Sequence, residues 1–334
     1  MISKHHIEWL TKSSVMYDFI KEKSNAQLRG GRLYEIEAYK LLKKSYQVSI
    51  NPFFIKNTNI FKYYFKHHVH EIKGDICIID PYVVALGKFN SKKKNISIVH
   101  HLDDAILNKN FASKIFYKQL LKHLKSMDVV IVVSNIWKTF LNDHGIQNVR
   151  VIYNAFDVNN YNFSKIEIDD FKDKNLLNNG KPILYLGPLT KGKGVESILK
   201  VIDKSQYNCI ATSKHPNDLG IKTVFFNDEE FPLFLASCDV VLCMSTMIEG
   251  WNRIAHEALL AKTPVIGSGS GGMMELLKKS NQTIVKDIRN LPKAIDKTIK
   301  NHSELVNFGW NYASQLNLDY FENEWSSLIK DLVK

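Results

Sequence analysis

Residues 240–277 read VVLCMSTMIEGWNRIAHEALLAKTPVIGSGSGGMMELL, and the order of elements in that stretch decides the fold. Val240 to Met244 is an unbroken apolar run of strand length, and Arg253 to Ala261 has apolar residues at helical spacing. Pro264 to Ile266 is a second short strand, and Met273 to Lys279 follows a glycine-rich turn as a second helix. Strand, loop, helix, repeated, is the pattern of a parallel sheet whose crossover helices cover both faces. Strands buried on both sides need no polar alternation, which is why Val240 to Met244 carries none.

Outward from that stretch the pattern continues. Pro182 to Leu186, Tyr207 to Ala211 and Thr223 to Phe226 read as strands, with helices over Val195 to Ile202 and Glu229 to Ser237. The first half repeats the theme, with strands at Val48 to Ile50, Ile76 to Ile79, Ile96 to Val99 and Val129 to Val133, and a helix over Leu33 to Leu42. Ile7 to Leu10 reads as a poor first strand. The segment Asn159 to Gly180 carries Asp169, Asp170, Asp173, Asn178 and Asn179 with little apolar periodicity, and is expected to connect two domains. The expected boundaries are 1–158, 159–317 and a terminal segment 318–334, with a helix pattern from Tyr320 to Leu332. In an open parallel sheet the ligand crevice lies beyond the carboxyl ends of the strands, so the loops there should carry the chemistry.

A chain of 334 residues with 45% apolar and 24% charged residues is large enough for two cores, which excludes a disordered chain and a small disulfide scaffold. Cys77, Cys209, Cys238 and Cys243 show no Cys-x-x-Cys spacing and sit mostly in apolar runs, as free thiols in a reducing compartment would. No apolar run approaches the roughly 20 residues that span a bilayer. His5, His6 and Glu8 stand where a secretory signal needs apolar residues, so a cytoplasmic protein is expected.

The net charge of +11 is unevenly spread, with 24 Lys and Arg against 12 Asp and Glu in residues 1–150, and 21 against 22 in the remainder. A basic first half points to phospholipid headgroups, nucleic acid or an acidic polymer; solubility in a lysine- and asparagine-rich composition explains it equally simply. Lys114, Lys118, Lys122 and Lys125 form one stripe of a helix, with Phe111, Ile115, Phe116, Leu120, Leu121 and Leu124 as an apolar face. That is the pattern of a helix lying on a membrane surface, and also of one packed on a sheet with solvated lysines. The aromatic residues Tyr63, Tyr64 and Phe65 beside lysines form no nucleic-acid module, so nucleic acid is not the expected partner.

Three loops carry candidate chemistry. In the first, Glu249-Gly250-Trp251-Asn252-Arg253 opens a helix that continues to Glu257, about two turns on. Glu249 and Glu257 can accept hydrogen bonds from a polyhydroxylated ligand while free amides at the helix start face phosphate; a cap and a solvated face fit the same residues. In the second, Gly187 to Gly194, with Thr190, Lys191 and Lys193, is suited to an anion or to a simple turn. It fails the Gly-x-x-x-x-Gly-Lys-Ser/Thr pattern because Gly194 follows Lys193. In the third, Gly267 to Gly272 satisfies Gly-x-Gly-x-x-Gly, but it lies near the end of the chain and lacks a well-placed acid downstream, so a phosphate- or sugar-facing loop is the better reading. The sequence has no Asp-x-Asp, no His-x-x-x-His and no Cys/His cluster, so no metal or other cofactor is expected.

Together these motifs resemble the nucleotide-sugar glycosyltransferases of group 1, family 4, which are retaining enzymes. Glu249 to Glu257 resembles the family's Glu-x7-Glu motif, continued by Thr263-Pro264-Val265-Ile266 and by Gly271-Gly272 with Glu275. Val133-Ser134 and Asn154-Ala155-Phe156-Asp157 resemble its Val-Ser segment and Asn-Gly-Val-Asp turn, and Gly30-Gly31 its first glycine loop. The resemblance implies an α/β GT-B fold, two Rossmann-like doubly wound domains facing a central cleft, with the terminal helix crossing back to the first domain. It implies a hexosyltransferase moving sugar from a nucleoside diphosphate to a glycan or lipid-linked acceptor; the lysine stripe adds the expectation of a peripheral place on an anionic membrane, and the missing ligand motifs that of chemistry without metal. It assigns Glu249 to the donor sugar, Glu257 to the ribose, Lys193 to the diphosphate and His100 to the sugar, with His101 open to the same role. Gly250, Trp251 and Asn252 would line the donor loop. Where the family has Gly-Arg-Leu this chain has Gly187-Pro188-Leu189, so Arg253 or Lys191 is expected to supply the missing charge. A basic binding protein on a transferase-like fold is the alternative. Base, sugar, acceptor and linkage are not written in these motifs.

Overall fold

The computed structural model describes residues 5–12, 14–20, 30–52, 73–87, 89–102, 110–215 and 218–334. The chain forms two compact units, Met1–Tyr153 with Phe321–Lys334, and Asn154–Tyr320. The division falls shortly before the boundary read from the sequence.

In the first unit six parallel strands form one sheet: β1 (His6–Thr11), β2 (Gln47–Pro52), β3 (Ile76–Ile79), β4 (Lys94–Val99), β5 (Val129–Val132) and β6 (Val149–Val151). Their spatial order is β2-β1-β3-β4-β5-β6. The poor first strand of the sequence reading is an interior one, paired on both sides, with Ile7 and Leu10 fully buried. Glu8 disguised it. Its carboxylate is buried in β1, where it accepts the Lys73 and Gly74 amides at 2.7 and 2.9 Å and the Asn51 side-chain amide. A buried carboxylate is tolerated when its oxygens are satisfied in this way.

On one face, helix Phe111–Leu124 packs Tyr117, Leu120 and Leu124 into a core with Val83, Val99, Val130 and Trp137. Within the same unit, Phe321 and Trp325 of the terminal helix Leu318–Val333 surround Tyr34 of helix Gly31–Ser45, with ring centroids 5.1 and 6.5 Å away. Arg150 of β6 bonds Glu324 at 3.2 Å.

The second unit has strands β7 (Ile183–Pro188), β8 (Asn208–Thr212), β9 (Lys222–Val224), β10 (Val240–Cys243), β11 (Val265–Gly267) and β12 (Thr283–Ile284). They are parallel in the order β12-β11-β10-β7-β8-β9. Leu184, Leu186, Val240, Leu242 and Ile266 make its core with Val195, Ile198, Leu291 and Ile295 from the helices. The polar segment expected to connect the two domains lies within the second unit and is structured. It forms a 3-10 turn, Val158–Tyr161, and helix Lys165–Lys174, closed by a reciprocal cap between Ser164 and Glu167 and anchored by buried Phe171. Capping and one anchor hold a helix that apolar periodicity does not announce.

Candidate active site

In the second unit the chain winds from β7 through β8 to β9 on one side, then returns to the other side of β7 for β10, β11 and β12. The carboxyl ends of β7 and β10 therefore flank the point where winding reverses, where an open sheet leaves a crevice. A small recess opens there, lined by Gly187, Pro188, Lys193, Cys243, Ser245 and Asn252 among others. The Lys193 ammonium donates to Glu249 Oε1 at 2.7 Å, joining the two loops, and both groups are mostly shielded from solvent. Burial pushes the Cys243 thiol up to about 12, so it is an inert wall of the recess.

Backbone bonds fix the three loops to one another. Thr246 N and Ser245 Oγ donate to the Gly192 carbonyl at 2.9 and 3.1 Å, and Ser268 Oγ donates to the Ser245 carbonyl at 2.7 Å. Gly272 N donates to the Glu249 carbonyl at 2.8 Å. Gly271 has φ 62° and ψ −139°, and a Cβ there would overlap the Glu249 backbone. Only glycine allows this approach. Lys286 closes the third loop by donating to the Ser268 and Gly269 carbonyls at 2.9 and 3.1 Å.

Asn252 caps helix Arg253–Leu260 through Oδ1 to Ala255 N at 2.9 Å, and so lines the recess as a cap. Gly250 and Trp251 are buried. The Trp251 indole donates to His256 Nδ1 at 3.2 Å, and His256 Nε2 meets the Ala313 carbonyl at 3.0 Å. These partners make Nε2 the protonated nitrogen, and burial pushes His256 down to about 3, so the ring is a neutral strut. Glu257 accepts from the Tyr161 hydroxyl at 3.1 Å. Burial raises its carboxyl, opposed by Arg253 and Tyr161. Arg253 donates to Asn154 Oδ1 at 2.9 Å and lies 4.2 Å from the centre of the Phe156 ring. Thr190 and Lys191 are exposed on the loop that carries Lys193. Of the two cations expected to replace the missing arginine, Arg253 is thus engaged with residues 154 and 156, while Lys191 shares the loop of Lys193.

In the first unit His100 follows β4 and bonds Glu35 at 3.2 Å, with Tyr34 edge-on at 5.3 Å. Gly31 starts the helix that carries Glu35, and a Cβ there would lie 2.6 Å from the His100 ring. Gly30, its cap residue, and His101 are exposed. Asp80, capping helix Pro81–Ala85 at the end of β3, is raised to about 6, chiefly by burial and then by Glu35.

Lys114, Lys118 and Lys122 are exposed along helix Phe111–Leu124. Phe111 and Ile115, placed by sequence on one apolar face with Leu120 and Leu124, part from them and are 79% and 47% exposed. At 100° per residue they fall within the lysine stripe, opposite Leu120 and Leu124. Tyr63, Tyr64 and Phe65 lie outside the described residues. Among the described residues no group of three or more His, Cys, Asp or Glu side chains is placed to hold a metal, and no helix is long and apolar enough to cross a membrane.

Sequence reasoning missed Glu35, Tyr161 and the strut role of His256. Glu35 is 65 positions from His100, and Tyr161 is 96 from Glu257. No local spacing encodes either pair.

Residues 205–314 match the family model described as glycosyl transferases group 1. The uncharacterized glycosyltransferase MJ1607 of Methanocaldococcus jannaschii is 33% identical over 153 residues, 39% of this chain and 38% of that one. The matches to curated relatives span less than half of their length. Among solved structures, Anabaena HepE in complex with UDP-glucose has a TM-score of 0.76 at 18% identity, covering 98% of this chain and 100% of that chain. Sucrose-phosphate synthase from Thermosynechococcus elongatus has a TM-score of 0.78 at 17% identity, covering 99% of each chain. Those likenesses show the fold, the two parallel six-stranded sheets of the GT-B type, and residues 205–314, within the second unit, are similar to the glycosyl transferases group 1 family.

Proposed function

We propose that this protein is a retaining glycosyltransferase of family 4 that moves a hexose from a nucleoside diphosphate sugar to a hydroxyl of a glycan or lipid-linked acceptor. The observation that carries the reading is the Lys193–Glu249 pair at the β7/β10 reversal, a cation and a carboxylate 2.7 Å apart beside a recess and a helix start. Lys193, with Lys191 on the same loop, neutralises the diphosphate, and amides at the start of helix Arg253–Leu260 add donors. Glu249 accepts from hydroxyls of the sugar and Glu257 from those of the ribose. His100, oriented by Glu35, is assigned to the transferred sugar. With the diphosphate held by fixed cations, the acceptor hydroxyl attacks from the face that the diphosphate leaves, and no metal is assigned to the step.

A thermal-shift panel of UDP-, GDP- and ADP-sugars tests this. A donor at about 100 times its Kd adds about 2.7 kcal/mol. That is a Tm rise of roughly 5–10 °C for units of this size. Slow hydrolysis of the same donor is also expected. No shift and no hydrolysis with any of them would leave the basic binding protein as the reading.

We further assign the acceptor side to an anionic membrane surface on the cytoplasmic face. Exposed Phe111 and Ile115 within the stripe of Lys114, Lys118 and Lys122 support this, because lysines attract anionic headgroups and the two apolar side chains insert. Binding to phosphatidylserine-containing vesicles is expected to fall roughly tenfold in a Phe111→Ser, Ile115→Ser double variant. It is also expected to weaken with salt. Equal binding to neutral vesicles, or none to either, would sink the assignment.

A further inference from the structure

The 3-10 turn Val158–Tyr161 carries a tyrosine that is only 7% exposed, and its hydroxyl meets Glu257 Oε1 at 3.1 Å. The turn is itself held to the helix that bears Glu257. Asn154 accepts from Arg253, Phe156 lies under the Arg253 guanidinium, and Phe156 meets the His256 ring edge-on with centroids 4.5 Å apart. Tyr161 lies edge-on to Phe156 with centroids 6.4 Å apart. Residues 154–161 therefore form a bracket around Arg253, His256 and Glu257 on the first two turns of helix Arg253–Leu260.

A carboxylate in such a place faces two problems. Burial favours its neutral form, and side-chain rotation blurs its aim. The groups facing it are Arg253 on its own helix, Tyr161 from the turn, Asp228 from the loop before helix Glu230–Ala236, and Tyr185 of β7. Asp228 opposes its charge, whereas Arg253 and the Tyr161 hydroxyl favour it. Burial and the neighbouring carboxylate keep the phenol itself protonated, so it can only donate. The bond occupies one side of Oε1 and leaves Oε2 and the remaining lone pair of Oε1 for other donors.

We propose that Tyr161 is a positioning residue whose phenol aims and keeps charged the Glu257 carboxylate so that it accepts both hydroxyls of a nucleotide's ribose. This rests on the assignment of Glu257 to the ribose made above. A phenylalanine at 161 would fill the same space and make the same ring contacts, so the hydroxyl is separable from the packing.

Calorimetric titration of the full chain with UDP, GDP and ADP, each beside its 2′-deoxy counterpart, tests the idea in wild type, Tyr161→Phe, Glu257→Gln and the double variant. Tyr161→Phe should weaken the ribonucleotide roughly 5- to 10-fold, within the range of a typical net hydrogen-bond contribution. The 2′-deoxy nucleotide should change little, so the preference for ribose shrinks. Loss of the phenolic donor raises the Glu257 carboxyl, so the pH at which affinity falls off on the acid side moves upward. In the Glu257→Gln background Tyr161→Phe should add nothing. If Glu257→Gln weakens ribonucleotide binding while Tyr161→Phe leaves both the ribose preference and the acid midpoint unmoved, the positioning role is wrong and the donor assignment stands. If Glu257→Gln also changes nothing, or no nucleotide binds wild type, both fall.

Discussion

Lys193→Ala is expected to lower turnover about 10²- to 10³-fold, the loss seen when one preorganised group facing developing negative charge is removed. The effect is this large because the substitution acts twice. It removes the cation from the loop after β7, and it leaves the Glu249 carboxylate, normally 2.7 Å away, without that partner beside an anionic leaving group. Stability should hardly change, since partly exposed ion pairs contribute about 0–1 kcal/mol. That separation is diagnostic: a Tm close to wild type with activity lost points to chemistry rather than folding. Lys191→Ala, on the same loop but exposed, should cost less. Rates of donor hydrolysis and transfer, with Tm measured on the same samples, check both. Turnover of Lys193→Ala within threefold of wild type would remove Lys193 from the mechanism.

Gly271→Ala should damage folding and function together. At φ 62° and ψ −139° the backbone is in a region that side chains avoid, and the new methyl would overlap the backbone of Glu249. Strain of about 1–3 kcal/mol adds to displacement of the loop, for a total of about 3–5 kcal/mol. That corresponds to a Tm loss of roughly 6–20 °C. The same shift breaks the bond from Gly272 N to the Glu249 carbonyl and moves the carboxylate off its aim, so donor affinity should fall even in the folded fraction. Calorimetric unfolding and donor titration read the two effects separately. A variant with unchanged Tm would show that the loops after β10 and β11 are not locked as the geometry requires.

The parts of the fold that were legible are those held by continuous apolar runs. Ile76–Ile79 and Val240–Cys243 are strands at nearly the expected bounds because a strand buried on both faces has no polar alternation to confuse it. The reading failed where a polar residue is buried or a helix is held by its ends. Glu8 hid β1 because three donors distant in sequence satisfy it, and helix Lys165–Lys174 was missed because a cap and Phe171, rather than a stripe, stabilise it. The lysine helix was legible in kind, but Phe111 and Ile115 face solvent, since near the first turn the packed face is narrower than the apolar composition suggested.

The sequence by itself determined the alternation of strands and helices, and the loops that hold Lys193, Glu249 and Gly271. Those features depend on neighbours a few residues away, where periodicity and turn chemistry act. Only the tertiary structure decided that β7 lies beside β10, so that Lys193 meets Glu249, that Tyr161 reaches Glu257, and that Glu35 holds His100. Each of those pairs joins residues more than fifty positions apart: sheet order sets Lys193 beside Glu249, while the packing of a 3-10 turn on a helix and of a helix against the end of a strand sets the other two, and no local spacing encodes any of them.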